Sequence, residues 1–321
     1  MLGKPGGHLG FTFEQHIKGL NLDNKNRFYV SFLDEMSDRS YNTISKFDIF
    51  WFYAKAFHPS IFEEIRSTFP NKKIIVGPNV LLDKPDIGIC DEWDDWLINK
   101  AEFDLHLDQV EFYNNHVKKF FPDNRKNLST HLDKCMRLDI FDKDIENTNR
   151  DIDCLVYSKK RRYDKNYENF RSGIVTGLKS LGVKTEIMNY GEYKKEDFLK
   201  KLLRSKVMMN LSLDECPGIL NYEAFYCNTH VIGSNHNVPS HYDKTLWVED
   251  TDSMTNSYLV RKDDAHIKYL KKFESFIKNY DKNVKDLKSP REYVLNHTSY
   301  QRYCDDLVQI INEKFGWNIS T

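Results

Sequence analysis

The stretch from Lys206 to Pro239 alternates strand, turn, helix and strand, the order that builds one unit of a parallel α/β sheet. Val207 to Leu213 (VMMNLSL) is an apolar run of strand length, and Asp214 to Gly218 (DECPG) carries turn residues. Ile219 to Cys227 (ILNYEAFYC) has helical spacing, and Thr229 to Ser234 (THVIGS) is a β-rich run closed by Gly and Ser. The unit therefore places a loop at the carboxyl end of its first strand, directly before a helix.

Open α/β sheets bind ligands at the carboxyl ends of their strands, and the amides at a helix start favour an anion such as a diphosphate. Pro217 and Gly218 stand where this helix begins. Proline is tolerated in a first turn because its missing donor would go unpaired there, and Gly218 lets a ligand approach the backbone closely. Glu215 falls on the loop and Glu223 inside the helix, so two carboxylates flank one bound anion without sitting on it. A carboxylate suits a sugar diol rather than a phosphate, and each charge-assisted bond of that kind contributes about 1.5–3 kcal/mol. The plainer alternative makes Glu215 a solvated turn residue and Glu223 a local helix cap or ion-pair partner, because Glu pairs are common in a chain with 30% charged residues.

The run SKVMMNLSLDECPGILNYEAFYCNTHVIGSNHNVPS, Ser205 to Ser240, resembles the donor-nucleotide motif of GT-B glycosyltransferases, especially the retaining family-4 group. The resemblance implies that Glu215 touches the transferred sugar, that Gly218, Ile219 and Leu220 present their amides to the diphosphate, and that Glu223 holds the ribose hydroxyls. The family usually has Gly-Phe-Gly after its first glutamate and Ala, Cys and Gly after its second. This chain has Cys216, Pro217 and Gly218, then Ala224, Cys227 and Asn228. The implied fold is α/β with GT-B architecture, two Rossmann-like domains facing across a cleft.

A chain of 321 residues favours two domains over one core. With 40% hydrophobic and 14% aromatic residues it can fill packed interiors, while a mean hydropathy of -0.65 indicates a heavily solvated surface. A net charge of -1 gives no global basic field for nucleic acid or membrane. The six cysteines form no CxxC pair and no dense framework, which fits reduced, mostly buried thiols. No His is paired locally with Cys216, which argues against a catalytic thiol. MLGKPGGHLG lacks an apolar signal core and no window reaches the length of a membrane span. The expected location is cytoplasmic, with peripheral membrane contact left open.

In the first half Arg27 to Leu33, Phe47 to Tyr53, Lys73 to Gly77 and Phe103 to Leu107 read as strands, and Ser60 to Phe69 has helical spacing. Aromatic segments 47–57 and 91–96 are expected either to line the acceptor wall or to fill the core. The polar, acidic stretch 139–153 marks the interdomain boundary, giving domains 1–147 (acceptor side) and 148–298 (donor side). In the second half Cys154 to Ser158 and Lys184 to Asn189 read as strands, Asn169 to Leu181 and Glu196 to Arg204 as helices, and Leu246 to Val248 as a last short strand. Residues 299–321 carry Tyr303, Leu307, Ile310 and Ile311 at helical spacing. By resemblance this terminal helix crosses back to the first domain; an ordinary packed helix is the alternative.

Three further signals bear on chemistry. Gly6-Gly7-His8-Leu9-Gly10, followed by a helix-like Thr12 to Leu20, resembles the acceptor-side glycine loop, with His8 a donor to a phosphate or substrate hydroxyl. Lys159, Lys160, Arg161, Arg162 and Lys165 follow the strand CLVYS, where the family places an Arg and a Lys on the diphosphate; the family spacing is met by Lys160 and Lys165. Arginine there would grip two phosphate oxygens and lysine would act as a point charge. Asp151-Ile152-Asp153 has the spelling of a metal-binding loop but directly precedes a strand, so no metal is expected. The reading is a glycosyltransferase, retaining and metal-independent, that moves a sugar from a nucleotide-diphosphate sugar, UDP- or GDP-linked, to a glycan or other hydroxyl acceptor. No cofactor is expected beyond that donor. Alternatives are a nucleotide-sugar epimerase of the same fold, separable because it needs no acceptor, and a noncatalytic nucleotide-sugar-binding protein, which would bind without turnover. A nucleic-acid reader using the 159–165 cluster with Tyr157, Tyr163 and Tyr167 is weaker, given the neutral chain.

Overall fold

A computed structural model describes residues 7–32, 40–53, 58–77, 92–109, 111–136, 149–160, 166–213, 218–239, 242–251 and 261–320. The chain divides into two compact units, Met1–Arg137 with Thr298–Thr321, and Leu138–His297. The expected boundary at residue 147/148 lies outside the described residues.

The first unit opens with helix α1 (Gly7–Asn21) and a single turn α2 (Tyr41–Ile44). Four parallel strands follow in the order β1 (Ile49–Phe52), β2 (Lys73–Val76), β3 (Leu105–Asp108) and β4 (Ser129–His131), in register Ile49↔Lys73, Ile75↔Leu105 and His106↔Ser129. The crossovers carry α3 (Pro59–Thr68), α4 (Glu92–Asn99) and α5 (Glu111–Val117). Strands of a sheet covered on both faces are apolar at every position, and alternate side chains sort between two cores. Phe50, Phe52, Ile74 and Val76 pack with Phe62, Ile65, Trp96 and Leu97. Trp51, Tyr53, Ile75 and Leu107 pack on the other side with Ile17 and Leu20 of α1 and with Tyr303, Leu307 and Ile311 of a C-terminal helix.

In the second unit β5 (Ile152–Ser158), α6 (Tyr167–Ser180), β6 (Thr185–Asn189), α7 (Lys195–Arg204), β7 (Ser205–Asn210), α8 (Ile219–Tyr226), β8 (His230–Ser234) and β9 (Trp247–Val248) succeed one another. All five strands are parallel, in the order β6-β5-β7-β8-β9. Helices α9 (Ala265–Lys278), α10 (Tyr280–Asp286) and α11 (Pro290–His297) close this unit. Residues Ile174 and Leu178 of α6 and Tyr269 and Phe273 of α9 cover one face of the sheet, over Val156, Val207, Met209 and Ile232. Helix α12 (Tyr300–Phe315), N-capped by the Ser299 hydroxyl on the Arg302 amide, belongs to the first unit. Both units are thus Rossmann-like α/β domains of the kind found in GT-B architecture.

Two expectations are corrected. Residues 27–32 are extended but form no strand. Their alternation is real, with Phe28, Val30 and Phe32 against the core and Tyr29 84% exposed, yet the segment makes no ladder with β1–β4. A left-handed turn at Asn26 (φ 51°) leads into it, and Arg27 is tied to Asp23 and to Asp305 of α12, both at 2.7 Å. The first helix starts at Gly7 rather than Thr12, so Gly7 to Gly10 form its first turn and not a loop.

Gly77, just after β2, has φ 98°, and a Cβ there would stand 2.0 Å from the Leu107 carbonyl oxygen. Gly182 also has positive φ but open space around it. Gly77→Ala is therefore expected to destabilise the protein by about 3 kcal/mol or more, and Gly182→Ala by only about 1, in urea unfolding.

Candidate functional site

Strand β5 pairs with β6 on one side and β7 on the other, so the chain leaves its carboxyl end in one direction and returns on the opposite side. That reversal is the topological switch point, where open α/β sheets hold ligands. Two segments border it: residues after Ser158 and residues after Asn210.

At the β5 exit the Ser158 hydroxyl lies 2.7 Å from the Tyr167 hydroxyl and accepts from Arg171 Nε at 3.0 Å. Arg171, from the second turn of α6, also donates to Asn189 Oδ1 at the end of β6, at 3.3 Å. Lys159 is largely buried, with its ammonium 4.3 Å from the centre of the Tyr190 ring. Lys160, expected on the diphosphate, is exposed and pairs with Glu168 at 3.1 Å. Arg161 and Lys165 lie outside the described residues. Among the described residues the buried cation of this segment is Lys159, and Arg171 adds a further cation from α6.

At the β7 exit a buried polar lattice fixes the backbone. Asn210 donates to Asn221 Oδ1 at 3.0 Å and accepts from the Ser212 amide at 3.0 Å. Asn237 donates to the Ser212 carbonyl at 2.8 Å, and Asn221 to the Asn237 carbonyl at 3.3 Å. Arg261, fully buried, donates to the Leu211 carbonyl at 2.9 Å and to Asp250 at 2.9 Å. Its guanidinium stacks 3.8 Å from the centre of Phe170, and Asp250 also accepts from Ser234 and Tyr269. Burial raises the Asp250 carboxyl above its ordinary range while Arg261 opposes the rise. A satisfied network of this sort fixes the backbone leading into the next loop.

That loop contains Glu215, Cys216 and Pro217, which lie outside the described residues. Beyond it Gly218 (φ -59°, ψ 143°) precedes α8 without any side-chain cap, so the amides of Ile219 and Leu220 face out of the helix start. Glu223 sits one turn into α8, 4% exposed, and takes the ammonium of Lys195, the first residue of α7. Burying a carboxylate is costly unless it is paired, and Lys195 meets that need from the rim. The Cys227 thiol, one turn further on, is pushed up to about 12, first by burial and then by the Glu223 charge, so it is no nucleophile at neutral pH.

Of the remaining expected residues, Gly7 and His8 belong to the first turn of α1, and Gly6 lies outside the described residues. Asp151 and Asp153 stand at the amino end of β5, opposite the switch point. Asp151 is engaged by Arg204 and Lys184, and Asp153 by Lys206 at 2.7 Å. Among the described residues no group of three or more His, Cys, Asp or Glu side chains is placed to hold a metal ion, and no helix is long and apolar enough to cross a membrane.

No protein-family model matches the chain, and no curated protein sequence matches it. Solved structures do. TarM superposes with a TM-score of 0.56 at 10% identity over 82% of this chain, which spans 54% of TarM, about half its length. Alr3699/HepE of Anabaena, solved with UDP, gives a TM-score of 0.54 at 8% identity over 85% of this chain and 80% of that one. Sucrose-phosphate synthase of Thermosynechococcus elongatus gives 0.54 at 14% identity, over 86% and 76%. The chain therefore shares a GT-B-like fold with these proteins at low identity.

Arg261→Ala leaves Asp250 buried without its cation. The expected loss is about 3–5 kcal/mol, read as a lowered urea midpoint.

Proposed function

We propose that the protein is a glycosyltransferase that moves a sugar from a nucleotide-diphosphate sugar to an acceptor hydroxyl. The observation that carries this reading is the coincidence, at one switch point, of an uncapped helix start, two cations and, one helical turn away, a buried carboxylate paired with Lys195. The diphosphate meets the Ile219 and Leu220 amides over Gly218, with Lys159, Lys160, Arg161 and Lys165 supplying charge from the segment after β5 and Arg171 from α6. Glu223, acceptor-only when ionised, takes the ribose hydroxyls. Glu215 positions the sugar. UDP or GDP is the favoured base carrier; the shared fold with Alr3699/HepE, solved with UDP and with UDP-glucose, supports the first.

Transfer needs the leaving diphosphate stabilised and the acceptor held beside the anomeric carbon. Helix amides and cations perform the first task without a metal, which fits Asp151 and Asp153 being tied up in ion pairs at the far end of β5. Retention of anomeric configuration is part of the proposal, with Glu215 orienting the sugar rather than attacking it. The enzyme acts in the cytoplasm on a glycan or other hydroxyl-bearing acceptor.

Thermal melting with UDP, GDP, ADP and CDP tests the site. A nucleotide at a hundred times its Kd stabilises by about 2.7 kcal/mol, a shift of several degrees. Glu223→Gln keeps the side-chain volume but weakens the ribose bonds, so nucleotide affinity is expected to fall about 10- to 100-fold. Glu215→Ala is expected to lower turnover far more than nucleotide affinity. An unchanged Kd in E223Q, with wild type binding, removes Glu223 from the ribose.

A further inference from the structure

We propose that Lys195 reads the ribose of the nucleotide together with Glu223, its ammonium donating to a ribose hydroxyl oxygen while the carboxylate accepts from the same diol, and that it thereby sets a preference for ribonucleotides over deoxyribonucleotides. The presence of a nucleotide rests on the glycosyl-transfer reading above; the pairing of this cation with this carboxylate does not.

Lys195 is the first residue of α7, the helix that leaves the carboxyl end of β6 and leads back to β7. A cation is poorly placed at the amino end of a helix, where the macrodipole is positive. Lys194 and Lys195 nonetheless occupy that end, and the acidic residues that suit it, Glu196 and Asp197, follow them. Local helix energetics therefore do not account for Lys195, whereas its contacts in space do. Its ammonium donates to Glu223 Oε1, reaching from α7 to α8. The same ammonium lies 5.6 Å from the centre of the Phe198 ring, one turn further along α7. Phe198 is fully buried, its ring centre 5.1 Å from that of Tyr193 and 6.0 Å from that of Tyr157 on β5. An aromatic cluster rooted in the sheet thus seats the lysine beside the carboxylate.

The two side chains differ sharply in exposure, 55% for Lys195 and 5% for Glu223, so the pair presents its cation to solvent with the carboxylate beneath. A hydroxyl both donates and accepts. A carboxylate satisfies only the donating half. An ammonium has three donors, and with one of them on Glu223 the others remain to satisfy the accepting half. Hydrogen bonds to charged groups are the stronger class, so a diol that meets both members of the pair is held more firmly than one that meets the carboxylate alone. A sugar lacking one hydroxyl leaves these charged groups short of a partner, and a site built to hydrogen-bond a hydroxyl rejects the analogue without it. An ion pair that served only to keep α7 against α8 would not discriminate between the two sugars.

Isothermal titration calorimetry with UDP, GDP, ADP and CDP, each beside its 2′-deoxy form, tests the assignment on wild type, Lys195→Met and Lys195→Arg. Wild type is expected to bind its preferred ribonucleotide about 10- to 100-fold more tightly than the deoxy form. K195M keeps an unbranched stem over Phe198 but removes the donor. Its affinity for the ribonucleotide is expected to fall about 10-fold or more, with the deoxy form changed by less than about threefold, so the preference collapses. K195R keeps the charge and the donors and is expected to recover most of it. The ratio of the two affinities is read on one preparation and does not depend on how much of a variant folds. Glu223→Gln, alone and with K195M, separates direct contact from action through the carboxylate: the ribose preference left in E223Q is expected to disappear in the double variant. Equal weakening of both ligands by K195M, an unchanged ratio, or no further loss in the double variant would overturn the proposal while wild type still binds its nucleotide. If wild type binds none of the nucleotides, the glycosyl-transfer reading itself fails, and the proposal with it.

Discussion

The reversal of chain direction beside β5 is the constraint on which the second unit depends. A parallel sheet needs a crossover for every strand, and because β6 and β7 flank β5 on opposite sides, the chain leaves the neighbouring carboxyl ends of β5 and β7 into two different helices, α6 and α8. The carboxyl ends of β5 and β7 are left adjacent with no helix between them. Whatever fills that gap must satisfy the exposed backbone ends, and the sequence does so with polar side chains. Asn210, Asn221 and Asn237 knit the β7 exit, Arg171 spans Ser158 and Asn189, and Arg261 holds the Leu211 carbonyl.

The same geometry explains the electrostatics. Helix α8 is buried almost all round, with Tyr222, Ala224, Phe225 and Tyr226 inside, so a carboxylate within it has little water to solvate it. Glu223 stays compatible with that setting because Lys195 begins the neighbouring helix on the same edge. The Asp250–Arg261 pair is more deeply buried still, and four further groups complete its hydrogen bonding and packing: Ser234, Tyr269, Leu211 and Phe170. A buried ion pair seldom adds net stability over an apolar replacement. Its value here lies in position, since Arg261 anchors the backbone that leads into the Glu215 loop.

Much of the framework was legible because strands covered on both faces are apolar at every position. FDIFWFY, KIIVG, CLVYS and VMMNLSL each overlap an observed strand, and the helices expected around 60–69, 196–204 and 219–227 are present within a residue or two. RFYVSFL misled because alternation reports which side chains face a core, not whether the backbone joins a ladder. β4, with only Ser-Thr-His, is too short and polar to announce itself. Helix α9, which turns Tyr269, Phe273 and Phe276 into the core, was not foreseen. The site was half readable. Glu223 and Gly218 occupy the helix and its start as expected, whereas Arg171, Lys195, Asp250 and Arg261 reach the edge from elements far apart in sequence. No local pattern could have joined them.

Hydrogen–deuterium exchange with and without a saturating nucleotide sugar, UDP-glucose and GDP-mannose in parallel, tests the central claim most directly. Binding at the switch point predicts slowed exchange in peptides covering 158–171 and 210–227, with the amino-edge peptide around Lys184 and Thr185 unchanged. Slowed exchange confined to other segments, or none with either sugar nucleotide, would contradict a donor site at the carboxyl edge of the second sheet.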